Sequence, residues 1–366
     1  MHTFIHHVCQ ATMLAVLAAH AWLPSTAAAT PVTGVLERPA PRIERLHTRT
    51  YLALAPAGNR IVAVGERGLI ALSDDDGKSW RQANCPVSVT LTGVAFADAH
   101  TGWAIGHSGV VLHTIDGGLT WAMQLDGVRA ARIIDNSVRE RGDTGGALAK
   151  VAAQLVADGP DKPFLDLQFS DARHGIVTGA YGLIFATADG GKSWQSLMHA
   201  LPNPRGLHLY AVRMIGHAVW VAGEQGFLAL SRDQGKTFAR IETPYRGSYF
   251  TMLPTASGMV VAGLKGNAFH VAGDASDFHK VEGAPPVSFS AATALRSGGL
   301  AFANQAGQIM LSFDAGKSVT PIAVPSSGPL TALLEASDRS LVAGGVNGLA
   351  RIAMSANQVD HSGNRK

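Results

Sequence analysis

The chain has 366 residues, 46% hydrophobic and 16% charged, with a formal net charge of +3 at pH 7. That is enough apolar material for a large core and excludes wholesale disorder, while so small a charge argues against nucleic acid or a strongly acidic substrate. The 41 glycines, without a collagen period, point to an all-β protein with many tight turns.

The first residues differ in kind from the rest. Met13–Leu23 is rich in Ala, Leu, Val and Met, and Ala27 and Ala29 supply the small residues expected before a cut after Ala29. Residues 1–29 therefore read as a secretory signal peptide, with His2, His6 and His7 in its head where Lys or Arg is usual. The apolar stretch is short for a membrane helix, and no later run reaches the roughly 18 apolar residues that a span needs. Cys9 lies ahead of the apolar stretch, badly placed for a lipid anchor, so the mature chain keeps Cys85 alone. Without an internal disulfide, stability rests on packing. The expected compartment is the periplasm, with secretion as the alternative.

From Val62 one phrase recurs: Gly, two variable residues, a second Gly, an apolar run, then Ser/Thr-x-Asp-x-Gly-x-Ser/Thr-aromatic. The second glycine falls at Gly68, Gly109, Gly182, Gly226, Gly266, Gly307 and Gly348, at intervals of 41, 73, 44, 40, 41 and 41 residues. Such a period predicts an all-β, seven-bladed β-propeller of four-stranded antiparallel blades over residues 30–355, with one insertion. In the second unit the strands are read as Leu91–Ala97, Gly102–Ile105, Val110–Thr114 and Trp121–Leu125. Gly106 and Gly109 bracket a two-residue hairpin loop, His107-Ser108, where positive φ is expected.

The turn from third to fourth strand carries an Asp box. Asp75 with Trp80, Asp116 with Trp121, Asp189 with Trp194 and Asp233 with Phe238 are full copies, and Asp314 is followed by Val319 in place of the aromatic. The carboxylate can accept backbone N–H groups, the glycine can turn left-handed, and the aromatic can pack into its blade. One Asp per blade, at the outer rim and aimed into its own turn, is a structural residue.

The second unit is followed by an insertion at about 127–163. Arg129, Arg132, Arg139 and Arg141 concentrate positive charge there. They are the candidate partner-binding residues, because Arg pairs bidentately with carboxylate or phosphate. They are read as a basic loop, followed by a helix over Ala147–Asp158 that Gly159-Pro160 stops. At the far end the seventh unit has no Asp box and no fourth strand, and residues 356–366 read as a disordered tail. Gly34–Leu46 has no blade of its own, so it is expected to supply the outer strand of the last blade, where Pro39 and Pro41 are tolerable.

Asp boxes of this form resemble the BNR repeats of sialidases and related secreted hydrolases. A closer resemblance is to photosystem II stability/assembly factor-like propellers. It rests on Val94-Ala95-Phe96-Ala97-Asp98, Gly102-Trp103-Ala104-Ile105-Gly106 and Thr114-Ile115-Asp116-Gly117-Gly118, and on Leu167-Gln168-Phe169-Ser170-Asp171 with Thr187-Ala188-Asp189-Gly190-Gly191. The resemblance implies a non-enzymatic assembly or accessory factor beside a membrane complex. The chain departs from the photosynthetic members in its insertion, so it is identified as a member of the non-photosynthetic branch and a photosystem role is not carried over.

The alternative is a carbohydrate-active hydrolase of the sialidase type. That chemistry needs three arginines, a Tyr nucleophile with a Glu base, and an acid/base Asp. Arg42-Ile43-Glu44 lacks the usual proline, and Tyr51, Tyr181, Tyr210, Tyr245 and Tyr249 have no Glu in a catalytic context in the sequence. Asp166 could face the channel, with Tyr210 on the next blade, but a glycosidase needs two carboxylates flanking one cleft. The histidines form no metal-binding spacing, and the glycines precede no helix that would bind phosphate. No catalytic residue, metal or cofactor is expected. The expectation is a monomer that binds a protein partner.

Overall fold

The computed structural model describes residues 34–142, 145–324 and 328–355. The signal assigned to 1–29 and the tail assigned to 356–366 lie outside the described residues. Among the described residues the strands form seven antiparallel sheets, six of four strands and one of three, each a meander. The first strands are Tyr51–Ala57, Leu91–Phe96, Phe164–Phe169, Leu209–Ile215, Tyr249–Thr255, Phe289–Ala294 and Leu330–Glu335, and all seven line one central channel.

Each sheet is covered on both faces by its neighbours, so the second strands are buried along nearly their whole length. Gly102–Gly106 is buried at every residue, which is why Trp103-Ala104-Ile105 is a continuous apolar run rather than an alternating one. Between the second and third blades the Trp103 ring stacks on Phe169, 3.5 Å between centroids and 2° from parallel, and its Nε1 donates to Gly190 O at 3.1 Å.

The hairpin turn sits one residue further on than the sequence suggests. Ser108 and Gly109 are the left-handed residues, at φ 59° and 64°, while Gly106 is extended at φ −172°. Gly106 is required for closeness instead: a Cβ there would lie 2.3 Å from Thr90 O.

The Asp-box turns follow one hydrogen-bond plan. Ser73 Oγ accepts from Gly77 N (2.8 Å) and donates to Asp75 Oδ1 (2.8 Å). Asp75 accepts from Ser79 N (2.9 Å) and Ser79 Oγ (2.6 Å), and Trp80 Nε1 donates to Gly77 O. Bonds to Ser79 and Ser73 hold the Asp75 carboxyl down at about 2. Asp189 and Asp233 are held equally low by the matching Ser193 and Thr237 contacts. Asp116 and Asp314 repeat the plan with their own Thr and Ser partners.

Two elements differ from expectation. The segment from Gly34 to Arg45 forms no strand, and the last blade ends at Gly348–Ile352. The segment runs along the outer side of the first blade instead: Ala40 N donates to Cys85 O, Ser88 N to Val35 O, and Ile43 N to Gln82 Oε1. Pro39 and Pro41 lack the N–H groups that a regular ladder needs, and the intervening amides find these irregular acceptors. Among the described residues the ring closes without a shared strand, through the kind of interface that joins other blades. Ile61, Leu334, Ala336 and Val342 pack together, Thr331 Oγ1 donates to Tyr51 O, and Ser337 N and Oγ donate to Asp76 Oδ1 at 2.9 and 2.6 Å.

The insertion contains two helices, α1 (Gly127–Glu140) and α2 (Ala147–Asp158). The expected basic loop is therefore helical. Asp126 caps it by accepting from Arg129 N at 2.9 Å, and Ala130, Ala131, Ile134 and Val138 form its buried stripe. This face packs with Ala152 and Leu155 of α2 against Phe164, Leu183 and Phe185 of the third blade.

Candidate functional site

The first strands enclose a channel of about 400 Å³. All seven pairings of first and second strand shift register close to the start of the first strand, and a bulge re-aims the extra side chain. The residues at the shifts are Leu52, Thr92, Leu165, Tyr210, Phe250, Ser290 and Thr331, and all seven line the channel. Thr92, Ser290 and Thr331 each donate to a first-strand carbonyl of the next blade, Phe164 O, Leu330 O and Tyr51 O. The ring of shifted residues is thus hydroxylic on one side and aromatic at Tyr210 and Phe250.

Asp166 lines the channel as expected, but its carboxylate is engaged. Oδ2 accepts from Val212 N at 2.9 Å and from the Arg213 guanidinium at 2.6 Å, and Arg213 Nε donates onward to Met252 O at 2.9 Å. Gln168 exchanges two bonds with the Met214 backbone. Asp166 is the single carboxylate among the described residues lining the channel.

Tyr210 brings a pairing that the sequence hid. Its hydroxyl donates to Glu224 Oε1 at 3.4 Å, and Glu224 Oε2 accepts from His208 N at 2.9 Å. The two residues lie 14 apart in sequence and meet because a hairpin folds the second strand back on the first. Burial, followed by the Glu224 charge, pushes the phenol up to about 12, the opposite of what a nucleophile needs. Among the described residues no three of His, Cys, Asp or Glu converge on one point.

The four arginines of the insertion do not form one patch of free charge. Arg129 pairs with Asp126 at 2.8 Å and Arg139 with Asp135 at 2.9 Å. Arg141 Nε reaches Ser137 Oγ at 3.4 Å, and Arg132 is exposed. The Asp-box residues Asp75, Asp116, Asp189, Asp233 and Asp314 stay in their own turns, apart from the channel.

Sequence reading missed Tyr181. It stands at the hairpin tip of the third blade with φ 56° and is 49% exposed, a costly conformation for a bulky residue. Its N–H donates to His208 Nδ1 at 3.0 Å, and Lys162 Nζ lies 5.0 Å from its ring centroid. Rings continue inward from it: Tyr181 to His208 at 5.0 Å, His208 to Tyr210 at 6.3 Å, Tyr210 to Phe250 at 5.2 Å. An aromatic stripe therefore joins the insertion to the channel. The available signal was a large aromatic at a tip position where other blades place Arg67, Ser108, Gln225 and Lys265.

Comparison with known proteins adds the following. The family described as "Photosynthesis system II assembly factor YCF48" matches residues 72–152 and 147–248. The photosystem II assembly lipoprotein Ycf48 of Synechococcus sp. (strain CC9902) is 34% identical over 77 residues, 21% of this chain and 23% of that protein. The photosystem II assembly protein Ycf48 of Thermosynechococcus vestitus (strain NIES-2133 / IAM M-273 / BP-1) is 27% identical over 143 residues, 35% of this chain and 41% of that one. The match thus spans well under two thirds of either relative's length. Among solved structures, one described as YCF48 bound to D1 peptide aligns with TM-score 0.60 at 17% identity, covering 87% of this chain and all of that one. YCF48 from Cyanidioschyzon merolae aligns with TM-score 0.59 at 14% identity, over 84% and 96%. The WD40 propeller of Doa1 aligns with TM-score 0.62 at 12% identity, over 88% and 98%. At these identities the structural likeness is one of fold.

Proposed function

Because this chain belongs to the Ycf48-like family of BNR-repeat propellers, we propose that it is an exported, non-enzymatic accessory factor that holds a protein segment presented by a membrane complex. The observation that carries this reading is the contrast at the channel. Among the described residues its one carboxylate and the hydroxyls of Thr92, Ser290 and Thr331 are consumed by neighbouring blades, while Val128, Val156 and Tyr181, on the insertion or near it, are exposed. Tyr181 continues inward as the aromatic stripe to Phe250, and contiguous exposed apolar surface supports protein contact.

A relative is named as a lipoprotein and a structural neighbour is described with a bound peptide; both features support export and a protein partner here. Among the described residues no helix is long and apolar enough to cross a membrane. The photosystem named for the relatives is not part of the proposal. The arginines of the insertion enter as rim contacts, with Arg132 and Arg141 free of ion pairs among the described residues.

The test is affinity purification from envelope membranes with the wild-type chain as bait. A specific membrane-complex protein recovered at near-equal amounts is the expected result. The hydrolase reading predicts instead that glycosidase activity on a reporter panel is present and is lost in Asp166→Asn, an outcome that would overturn the proposal.

A further inference from the structure

Between α2 and the loop that follows the third blade lies a groove of about 310 Å³, lined by Leu148, Val151, Met198, Leu201 and Pro202, with Tyr181 at its side. Leu148, Val151 and Met198 are only partly buried against the core below. The polar groups around the groove are mostly occupied. Asn203 closes its own turn through Leu207 N and O, and Glu224 accepts from His208 N. Lys162, whose ammonium lies over the Tyr181 ring, is neutralised by Asp158 and Asp161.

What stays open at the groove is positive. Arg141 lies close enough to His199, a lining residue, to add to the effect of burial in lowering its pKa. Arg205 adjoins Gly206, which lines the groove and packs near Tyr181 O. Arg205 makes a neutral hydrogen bond to Gln225 Oε1 at 2.7 Å and, among the described residues, no ion pair. An apolar floor, a half-exposed aromatic wall and two guanidinium groups without an ion pair among the described residues form one recognition surface.

We propose that this groove docks an extended protein segment with an apolar centre and acidic residues on its flanks. The proposal rests on the protein-binding reading above and names its site and the chemistry of its partner. The apolar centre would lie on Leu148, Val151 and Leu201 against Tyr181, and the carboxylates would meet Arg141 and Arg205. The ring of Tyr181 fits this role: at the same left-handed tip position other blades carry Arg67, Ser108, Gln225 and Lys265, and here the position carries an aromatic ring beside His208 and Lys162.

The experiment selects short peptides displayed on phage against the purified chain, then titrates the enriched peptides, fluorescently labelled, against variants. Tyr181→Gly removes the ring at a position where glycine relieves strain, so the fold is retained, and equal thermal unfolding checks this. The expected result is enrichment of apolar peptides with Asp or Glu flanks. Tyr181→Gly should weaken them about tenfold, as should Arg141→Glu with Arg205→Glu, which a peptide with lysine flanks should then rescue. Enrichment without acidic flanks, no enrichment, titrations indifferent to these variants, or displacement by oligosaccharides would each overturn the groove. A membrane partner still recovered by the groove variants removes this site and leaves the scaffold reading standing. A partner recovered by neither wild type nor variant removes the scaffold reading itself.

Discussion

The ring and the helical insertion use polar side chains in opposite ways. In the ring many polar groups serve the next blade or their own turn: Thr92 reaches Phe164 O, Asp166 holds Arg213, and Asp75 closes on Ser73 and Ser79. In the insertion only part of the charge is used internally. Arg129 and Arg139 pair along α1, while Arg132, Arg141 and the groove beside α2 face outward. A group that stabilises its own fold has little left with which to bind a partner, so the insertion and its margin are where recognition can reside.

The largest effect is expected inside the ring. Trp103→Ala removes a fully buried ring stacked on Phe169 and should cost about 3–5 kcal/mol, read as one cooperative shift in a denaturant titration. A noncooperative loss confined to the second blade would break the view of the ring as a unit. Ile134→Ala, on the buried face of α1, should cost about 2–4 kcal/mol. If the insertion is part of the same core, hydrogen exchange should rise in the third blade as well as in residues 127–158. A rise in the helices alone would make the insertion a separate unit.

The ring-closing junction permits a finer comparison. Thr92→Val and Thr331→Val each remove one hydroxyl bond to the next blade, at an internal junction and at the closure respectively. Each should cost about 1 kcal/mol. A much larger loss for Thr331→Val would mean that the closure, lacking a shared strand, is the weak point.

Acid should weaken the Asp-box turns. Asp75, Asp189 and Asp233 are held at about 2 in the fold, against about 3.9 for an unperturbed Asp. Their contribution is present above about pH 4 and is lost as pH falls towards 2, because protonation removes the acceptor that the fold prefers. A melting series over that window should show the loss, with a shallower slope in Asp75→Asn. The smallest effect on stability is expected from Arg129, Arg132, Arg139 and Arg141 changed together to Ala. Unfolding should move by about 0.5 kcal/mol or less, while recovery of a membrane partner falls. Unchanged recovery would remove these arginines from the interface.

Much of the fold was legible because it repeats. The glycines Gly68, Gly109 and Gly182 mark the same left-handed turn residue, at φ 75°, 64° and 74°, and the Asp boxes mark the turn after it. The site was far less legible. The α1 arginines drew attention as charge, yet the apolar spacing of Ala130, Ile134 and Val138 beneath them says helix more plainly than the charges say binding. Tyr210 lies on a first strand and Glu224 in the turn after the second, and Tyr181 looks like any turn residue until His208 and Lys162 are brought to it from elsewhere in the chain.

The number of blades, the strand order within each and the turns between them were written in the amino-acid sequence, because they depend on local periodicity and on φ angles that only certain residues adopt readily. Tertiary structure alone decided how the ring closes, which charges on the insertion remain unpaired, and that an aromatic stripe runs from the groove to the channel. Those outcomes depend on which surfaces meet after the sheets have stacked, and contacts between distant segments leave no period in a single sequence.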